Sequence, residues 1–188
     1  MTDFDSILKS VGEFGLFQKK IFILVQLASF PLFFQNLVLV FVAAHPKWSC
    51  IGTSSSPCSQ NGTICAKAIF SPEFTSIATE WNLVCGEAYK NELVQSMFMA
   101  GNMLGSPLIG GLADQHGRRK MWMISIVLCS FASFVSAFVV NYNQFLVLRF
   151  VSGVFAGGGN LVSFVLSTES VGPSYRGNLF YLFIRTTI

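Results

Sequence analysis

The stretch GGLADQHGRRKMW, Gly110–Trp122, sets an aspartate, a histidine, two arginines and a lysine between two long apolar runs. All of that charge falls within residues 114–120. A cluster of this kind is either a basic anchor for a pair of membrane helices or a part that makes and breaks contacts. An anchor needs only Lys and Arg, because acidic residues contribute little to membrane orientation. Asp114 is surplus to it. So are Gly110 and Gly117, since glycines at such places permit close helix approach or a turn closed to other residues. An Asp at a helix end can instead face the positive end of another helix, and an Arg can pair with a carboxylate across a seam. Bonds of that sort can form in one state and break in another, as a gate requires.

The flanking runs say what solvent the cluster borders. The chain has 188 residues, 52% of them hydrophobic and 11% charged, with a mean hydropathy of +0.58. Soluble domains average about 25% charged residues, so lipid is the expected surrounding. A spanning helix needs roughly 20 mostly apolar residues. Runs of that length occupy 21–44, 93–113, 121–140 and 145–168, and a further one opens at 179 and continues to 188. They predict an all-α protein of the lipid bilayer, with four complete transmembrane helices and the start of a fifth. Residues 1–20 are mixed in charge and lack an early apolar core, so no cleavable signal peptide is expected.

Orientation follows the basic residues near span ends. A cytosolic N-terminus puts Lys9, Lys19, Lys20, Arg118, Arg119, Lys120 and Arg176 inside, against Lys47, Lys67 and Lys90 outside. On that topology 114–120 and 169–178 are cytosolic and 45–92 is an extracellular loop. The net charge of +3 comes without a long basic run, which argues against nucleic acid as a partner.

The loop over 45–92 carries Cys50, Cys58, Cys65 and Cys85, which in an oxidising compartment are disulfide candidates with three pairings open. It also holds the sequon Asn61-Gly62-Thr63, which makes Asn61 a glycosylation candidate. Cys129, inside a span, reads as a small buried hydrophobe. The sequence contains no metal-ligand cluster, nucleophile–base pair or phosphate loop, so neither an enzyme, a metal site nor a cofactor is expected. His45 and His116 stand alone and read as solvated.

Polar groups inside spans are candidates for function. In the first span Ser29, Phe33 and Asn36 share a face at about 100° per residue. In the fourth, Arg149, Gly153, Gly157, Asn160, Phe164 and Ser167 form one stripe. Gly101-x-x-x-Gly105 and Gly153-x-x-x-Gly157 are small-residue contact motifs, so those glycines are expected to pack helices. Arg149, near the outer end of its span, is expected first to snorkel outward, with pairing to a carbonyl or to an acid of a neighbouring helix as the alternatives.

Three blocks then carry a resemblance. GGLADQHGRRK resembles the loop between helices two and three of the major facilitator superfamily, Gly-x-x-x-Asp-x-x-Gly-Arg-Lys/Arg. TSIATEWNLVC, ending at Cys85, resembles a block of the organic cation, anion and zwitterion transporters within it. RFVSGVFAGGG and STESVGPSYRG resemble their fourth helix and the loop that follows, and VGEFGLFQKK their N-terminal segment.

The resemblance implies a major facilitator fold of twelve spans. At roughly 20 residues each these exceed 188 residues, so the chain is expected to be the N-terminal part. It implies an inner gate built from Gly110, Asp114, Gly117, Arg118 and Arg119, with Glu169 and Arg176 after helix four and the start of an eleventh helix as partners. It also implies a mid-membrane substrate cavity between two halves of 3+3 inverted repeats. Phe33, Asn36, Asn160 and Phe164 are the candidates to line it. Asn36 matches the family's anion carriers, whereas Asn160 stands where its cation carriers have an aromatic. The implied activity is alternating-access transport of small organic ions across the plasma membrane. The 188-residue chain is expected to be transport-incompetent alone, or to act as a regulatory fragment that traps a full-length transporter. A claudin-like cell-contact protein also has four spans and a cysteine-bearing first loop. That reading requires a second loop cysteine shortly after Cys85, which the sequence lacks, and it leaves Asp114, Gly117 and Glu169 without a role.

Overall fold

In a computed structural model, residues 15–44, 48–50, 68–70 and 75–169 are described. Expectations for Cys58, Asn61, Cys65, Arg176 and the segments 170–178 and 179–188 lie outside them, as does the side chain of Cys50.

Four long helices form the bundle: α1 Leu16–Val42, α2 Tyr89–His116, α3 Arg118–Ser136 and α4 Tyr142–Glu169. At 1.5 Å per residue, the 28 residues of α2 and of α4 extend about 42 Å, beyond a hydrocarbon core of about 30 Å. The ends of both helices can therefore carry charge outside the lipid tails. By length and composition α1, α3 and α4 qualify as spans. α2 is long enough but less apolar, because Gly, Asn, Ser and Pro interrupt it. Pro31 in α1 and Pro107 in α2 sit inside continuous helices, which membrane bundles accommodate.

Between α1 and α2, strand β1 (Trp48–Cys50) pairs antiparallel with β2 (Ala68–Phe70), with Ser49 opposite Ile69. This short ribbon is the one sheet among the described residues. One helical turn, Ile77–Glu80, follows. Asn82 and Cys85 then take left-handed backbone conformations (φ +51° and +56°) before a 3₁₀ turn at Cys85–Glu87 leads into α2. Cys85 is disulfide-bonded.

α1 shows how one apolar helix serves two solvents. Val25, Ser29, Leu32, Gln35 and Leu39 are buried against the other helices, while Leu27, Phe30, Phe34, Leu37 and Phe41 face outward. Two apolar clusters fill the interior. One joins Leu32, Leu39, Val94, Phe98, Cys129, Phe145 and Ala156; the other joins Val25, Ile109, Ala113, Trp122 and Val162. Cys129 is buried and its Sγ donates to the Ser152 carbonyl at 3.7 Å, a packed position as the sequence implies.

The tightest contact is α2 on α4. A Cβ on Gly101 would stand 2.3 Å from the Phe150 carbonyl oxygen, and one on Gly105 2.0 Å from that of Val154. From the other side, a Cβ on Gly153 would lie 2.4 Å from the Phe98 oxygen and one on Gly157 2.4 Å from that of Asn102. Both Gly-x-x-x-Gly motifs are thus used, against each other, and the obstructing atoms are backbone that no rotamer change can move. Gly105→Ala or Gly157→Ala is therefore expected to force the helices apart and cost about 1–3 kcal/mol. Gly111→Ala, whose Cβ would meet nothing within 4 Å, is the control. Melting temperature in detergent checks this, with a clear drop expected for the first two and none for the third.

Candidate functional site

The charged stretch folds into less loop than its sequence suggests. α2 runs through Asp114 to His116 and α3 begins at Arg118, so Gly117 alone separates them. Its φ of +96° is a conformation L side chains rarely adopt, and it lets the chain reverse within one residue. The expected loop over 114–120 is thereby replaced by helix on both sides of one glycine. Gly110 lies a turn before Asp114, and a Cβ there would press on Leu161 Cδ2 of α4 at 3.0 Å.

This turn delivers Arg118 between two carboxylates. Its Nε and Nη2 donate to Asp114 Oδ1 at 3.2 and 3.0 Å, and its Nη1 donates to Glu169 Oε1 at the end of α4. One guanidinium therefore ties the α2–α3 turn to the end of α4. The side chains are partly open to solvent, at 34% for Arg118, 64% for Asp114 and 53% for Glu169. Such pairs are worth about 0.2–1 kcal/mol each, so the link is easily broken. Beneath it a small cavity of about 100 Å³ is lined by Gly110, Ala113, Asp114 and Arg118 with Leu161, Val162 and Val165. Arg119 is exposed. Arg176 lies outside the described residues.

The candidate substrate residues are less gathered. Phe33, Asn36, Asn160 and Phe164 are all half-buried. Asn160 Oδ1 is buried with no hydrogen-bond partner. Ser29, expected on the same face as Phe33 and Asn36, is spent on packing: its Oγ shares a 2.8 Å hydrogen bond with Ser163 Oγ and accepts from Trp122 Nε1 at 3.2 Å.

At the opposite end of the bundle lies a cavity of about 820 Å³, enclosed by α1, α3, α4 and the segment before α2. None of the four candidates lines it. Gln35, Ser76, Glu80, Trp81, Phe145 and Arg149 do. The expectation that Arg149 snorkels is overturned. It is only 5% exposed, lies over the Phe145 ring at 4.9 Å and donates to Gln35 Oε1 at 3.5 Å. The reason is register: Arg149 shares a face with Phe145, Ser152 and Ala156, all buried, so its stem starts inside the bundle and not on the lipid side. That spacing was present in the sequence. The meeting of Gln35 with Arg149, and of Ser76 with both on one cavity wall, was not, because it crosses elements far apart in the chain.

The same end is fastened by side chains reaching across to backbone carbonyls. Asn91 Nδ2 donates to Ala43 O at 2.7 Å, Tyr142 Oη to Lys90 O at 2.7 Å, and Trp81 Nε1 to Val140 O at 2.9 Å. Lys90 also pairs with Glu87, which raises its pKa above the ordinary lysine value.

Apolar membrane-length helices, backbone contacts through glycine and charge gathered mainly at the helix ends, Arg149 apart, define a multi-pass helical membrane protein. Residues 60–181 match the Major Facilitator Superfamily, and the chain belongs to that family. It is 37% identical over 182 residues to the organic cation/carnitine transporter 4 of Arabidopsis thaliana, covering 92% of this chain and 34% of the relative. It is 35% identical over 174 residues to the solute carrier family 22 member 15-like protein of Xenopus tropicalis, covering 92% and 35%. Against solute carrier family 22 member 2 of Rattus norvegicus it is 27% identical over 234 residues, covering 94% and 42%. The chain thus spans about a third of the length of the first two relatives.

The geometry at Arg118 makes a quantitative expectation. A double-mutant cycle of Arg118→Gln and Glu169→Gln should return a coupling of about 0.2–1 kcal/mol that shrinks with added salt. Chemical or thermal unfolding of the four variants at low and high salt measures it. A coupling unmoved by salt would contradict the solvent-exposed link.

Proposed function

We propose that the protein to which these four helices belong moves small organic ions across the plasma membrane by alternating access. On this reading the N-terminus is cytosolic, and Asp114, Arg118 and Glu169 form part of an inner gate. The observation that carries it is the bridging guanidinium: Arg118 holds Asp114 on α2 and Glu169 on α4 together. Three features of that link suit a gate. It crosses between helices, it lies at their ends, and it is weak enough to exchange for solvent.

Family membership and the Arabidopsis relative, named as an organic cation/carnitine transporter, support small organic ions as cargo. Phe33, Asn36, Asn160 and Phe164 are proposed to face the mid-membrane cavity, with the unpartnered Asn160 Oδ1 available to a ligand donor or to a helix of the remaining protein. Asn61 is proposed to be glycosylated and to mark the extracellular side.

Uptake of labelled organic cations against labelled organic anions, by the longest protein encoded with this sequence, tests the proposal. Asp114→Asn or Glu169→Gln removes a contact present in one state only. A loss of about 1 kcal/mol shifts a two-state population by about fivefold, so transport should change severalfold while substrate affinity changes little. Uptake no greater than background for both charge classes would reject the reading. Uptake unaltered by either substitution would reject the gate.

A further inference from the structure

We propose that the end of the bundle carrying Arg119 and Lys120 is a docking surface for an acidic phospholipid, whose headgroup is held by Lys20, Arg119 and Lys120 and whose acyl chains lie on the apolar wall one helical turn above them. The starting point is positive charge gathered in one place. α1 carries Lys19 and Lys20 near its start, and α3 opens with Arg118, Arg119 and Lys120. The two openings share one end of the bundle, because Ile21 and Met121, each next to a lysine, pack against the same apolar cluster around Val25 and Trp122. The hydrogen bond from Trp122 Nε1 to Ser29 Oγ holds the two helices side by side.

That charge has no complement among the described residues. Lys20, Arg119 and Lys120 are exposed, and none of them forms an ion pair there. The carboxylates at this end, Asp114 and Glu169, are both engaged by Arg118. Neither helix has an acidic residue in its first turn, where an acid is favoured and a base is not. Lys90 at the opposite end shows the contrast, since it is paired with Glu87. A basic cluster beside a bilayer attracts anionic headgroups, and added salt weakens the attraction.

The neighbouring side chains distinguish a lipid from a soluble anion. On a helix, residues three and four apart share a face. Lys20 therefore stands one turn before Ile23 and Leu24, Arg119 before Met123, and Lys120 before Ile124, and all four of these apolar residues are exposed. Each basic head thus borders an apolar surface that a chain-bearing molecule can cover, and long basic side chains can run along such a surface. A free phosphate would use the charge alone. A phospholipid of no net charge would use the wall alone. An acidic phospholipid uses both. The surface includes none of Phe33, Asn36, Asn160 or Phe164, and none of Asp114, Arg118 or Glu169 is needed to hold the headgroup. The inference therefore does not rest on transport or on the gate.

Native mass spectrometry of the purified chain in a neutral detergent tests it with three probes. They are phosphatidylserine, phosphatidylcholine with the same acyl chains, and glycerophosphoserine, which is the acidic headgroup without its chains. Phosphatidylserine should bind at least about tenfold tighter than phosphatidylcholine, and the preference should shrink as salt is added. Arg119→Gln combined with Lys120→Gln should remove most of that preference, whereas Arg119→Lys combined with Lys120→Arg should keep it. Lys90→Gln, at the opposite end, is the control and should leave it unaltered. Because a double substitution at the start of α3 can also disturb folding, Lys20→Gln on α1 is the second variant. It should lower the preference severalfold at an unchanged melting temperature. The proposal is overturned if phosphatidylserine binds no tighter than phosphatidylcholine, or if the α1 and α3 variants both keep the preference. It is equally overturned if glycerophosphoserine displaces phosphatidylserine at comparable concentration, the mark of a site for a soluble anion.

Discussion

The glycine-to-carbonyl contact between α2 and α4 governs much of the remaining geometry. In lipid there is no hydrophobic drive to bring helices together, so association depends on dispersion and on close approach of backbones. Gly101 and Gly105 admit the α4 carbonyls of Phe150 and Val154, and Gly153 and Gly157 admit those of Phe98 and Asn102 on α2. Contacts from both sides fix rotation and height together, which a single gap would not do. The consequence reaches in both directions along the pair. Glu169 ends beside the α2–α3 turn, and Arg149 faces the interior.

Two arginines in this bundle live under opposite physics. Arg118 is partly solvated and held by two carboxylates, a combination that stabilises little and releases readily. Arg149 is almost fully buried and held by an amide oxygen and a ring. For a charge in that position the desolvation penalty is several kcal/mol, well above what those two contacts return. The first arrangement suits a contact that changes with state. The second suits a permanent feature that calls for a partner molecule or another part of the protein.

Most of the architecture was legible in the chain, because apolar runs of about 20 residues and the small-residue motifs report directly on lipid and on helix contact. The α2 and α4 glycines behave as their spacing implies, and Asp114, Arg118 and Glu169 meet as the motif resemblance implies. What escaped depended on local rotation or on distant segments. The turn at Gly117 is one residue because of a backbone angle that charge patterning does not encode. Arg149 was assigned to the lipid boundary by its depth alone, although its register with Phe145 and Ala156 favours the interior. Ser29 lies on the expected face but is saturated by Ser163 and Trp122, partners that only folding reveals.

The fastening of the bundle at one end has a mechanical consequence. Asn91, Tyr142 and Trp81 each tie a helix end or its connection to a neighbouring carbonyl through short hydrogen bonds, whereas the far end of α4 is held to the α2–α3 turn by exposed charge. Such a pair of helices has a fulcrum and a free arm. For an arm of about 42 Å, a tilt of about 5° displaces the free end by roughly 4 Å, more than the length of a hydrogen bond. A small rotation at the fastened end is therefore magnified into a full rupture at Arg118. Because the glycine seam lies between the fastened end and Arg118, the same tilt must also loosen that seam, which couples the opening or closing of the connection to the packing of the two helices.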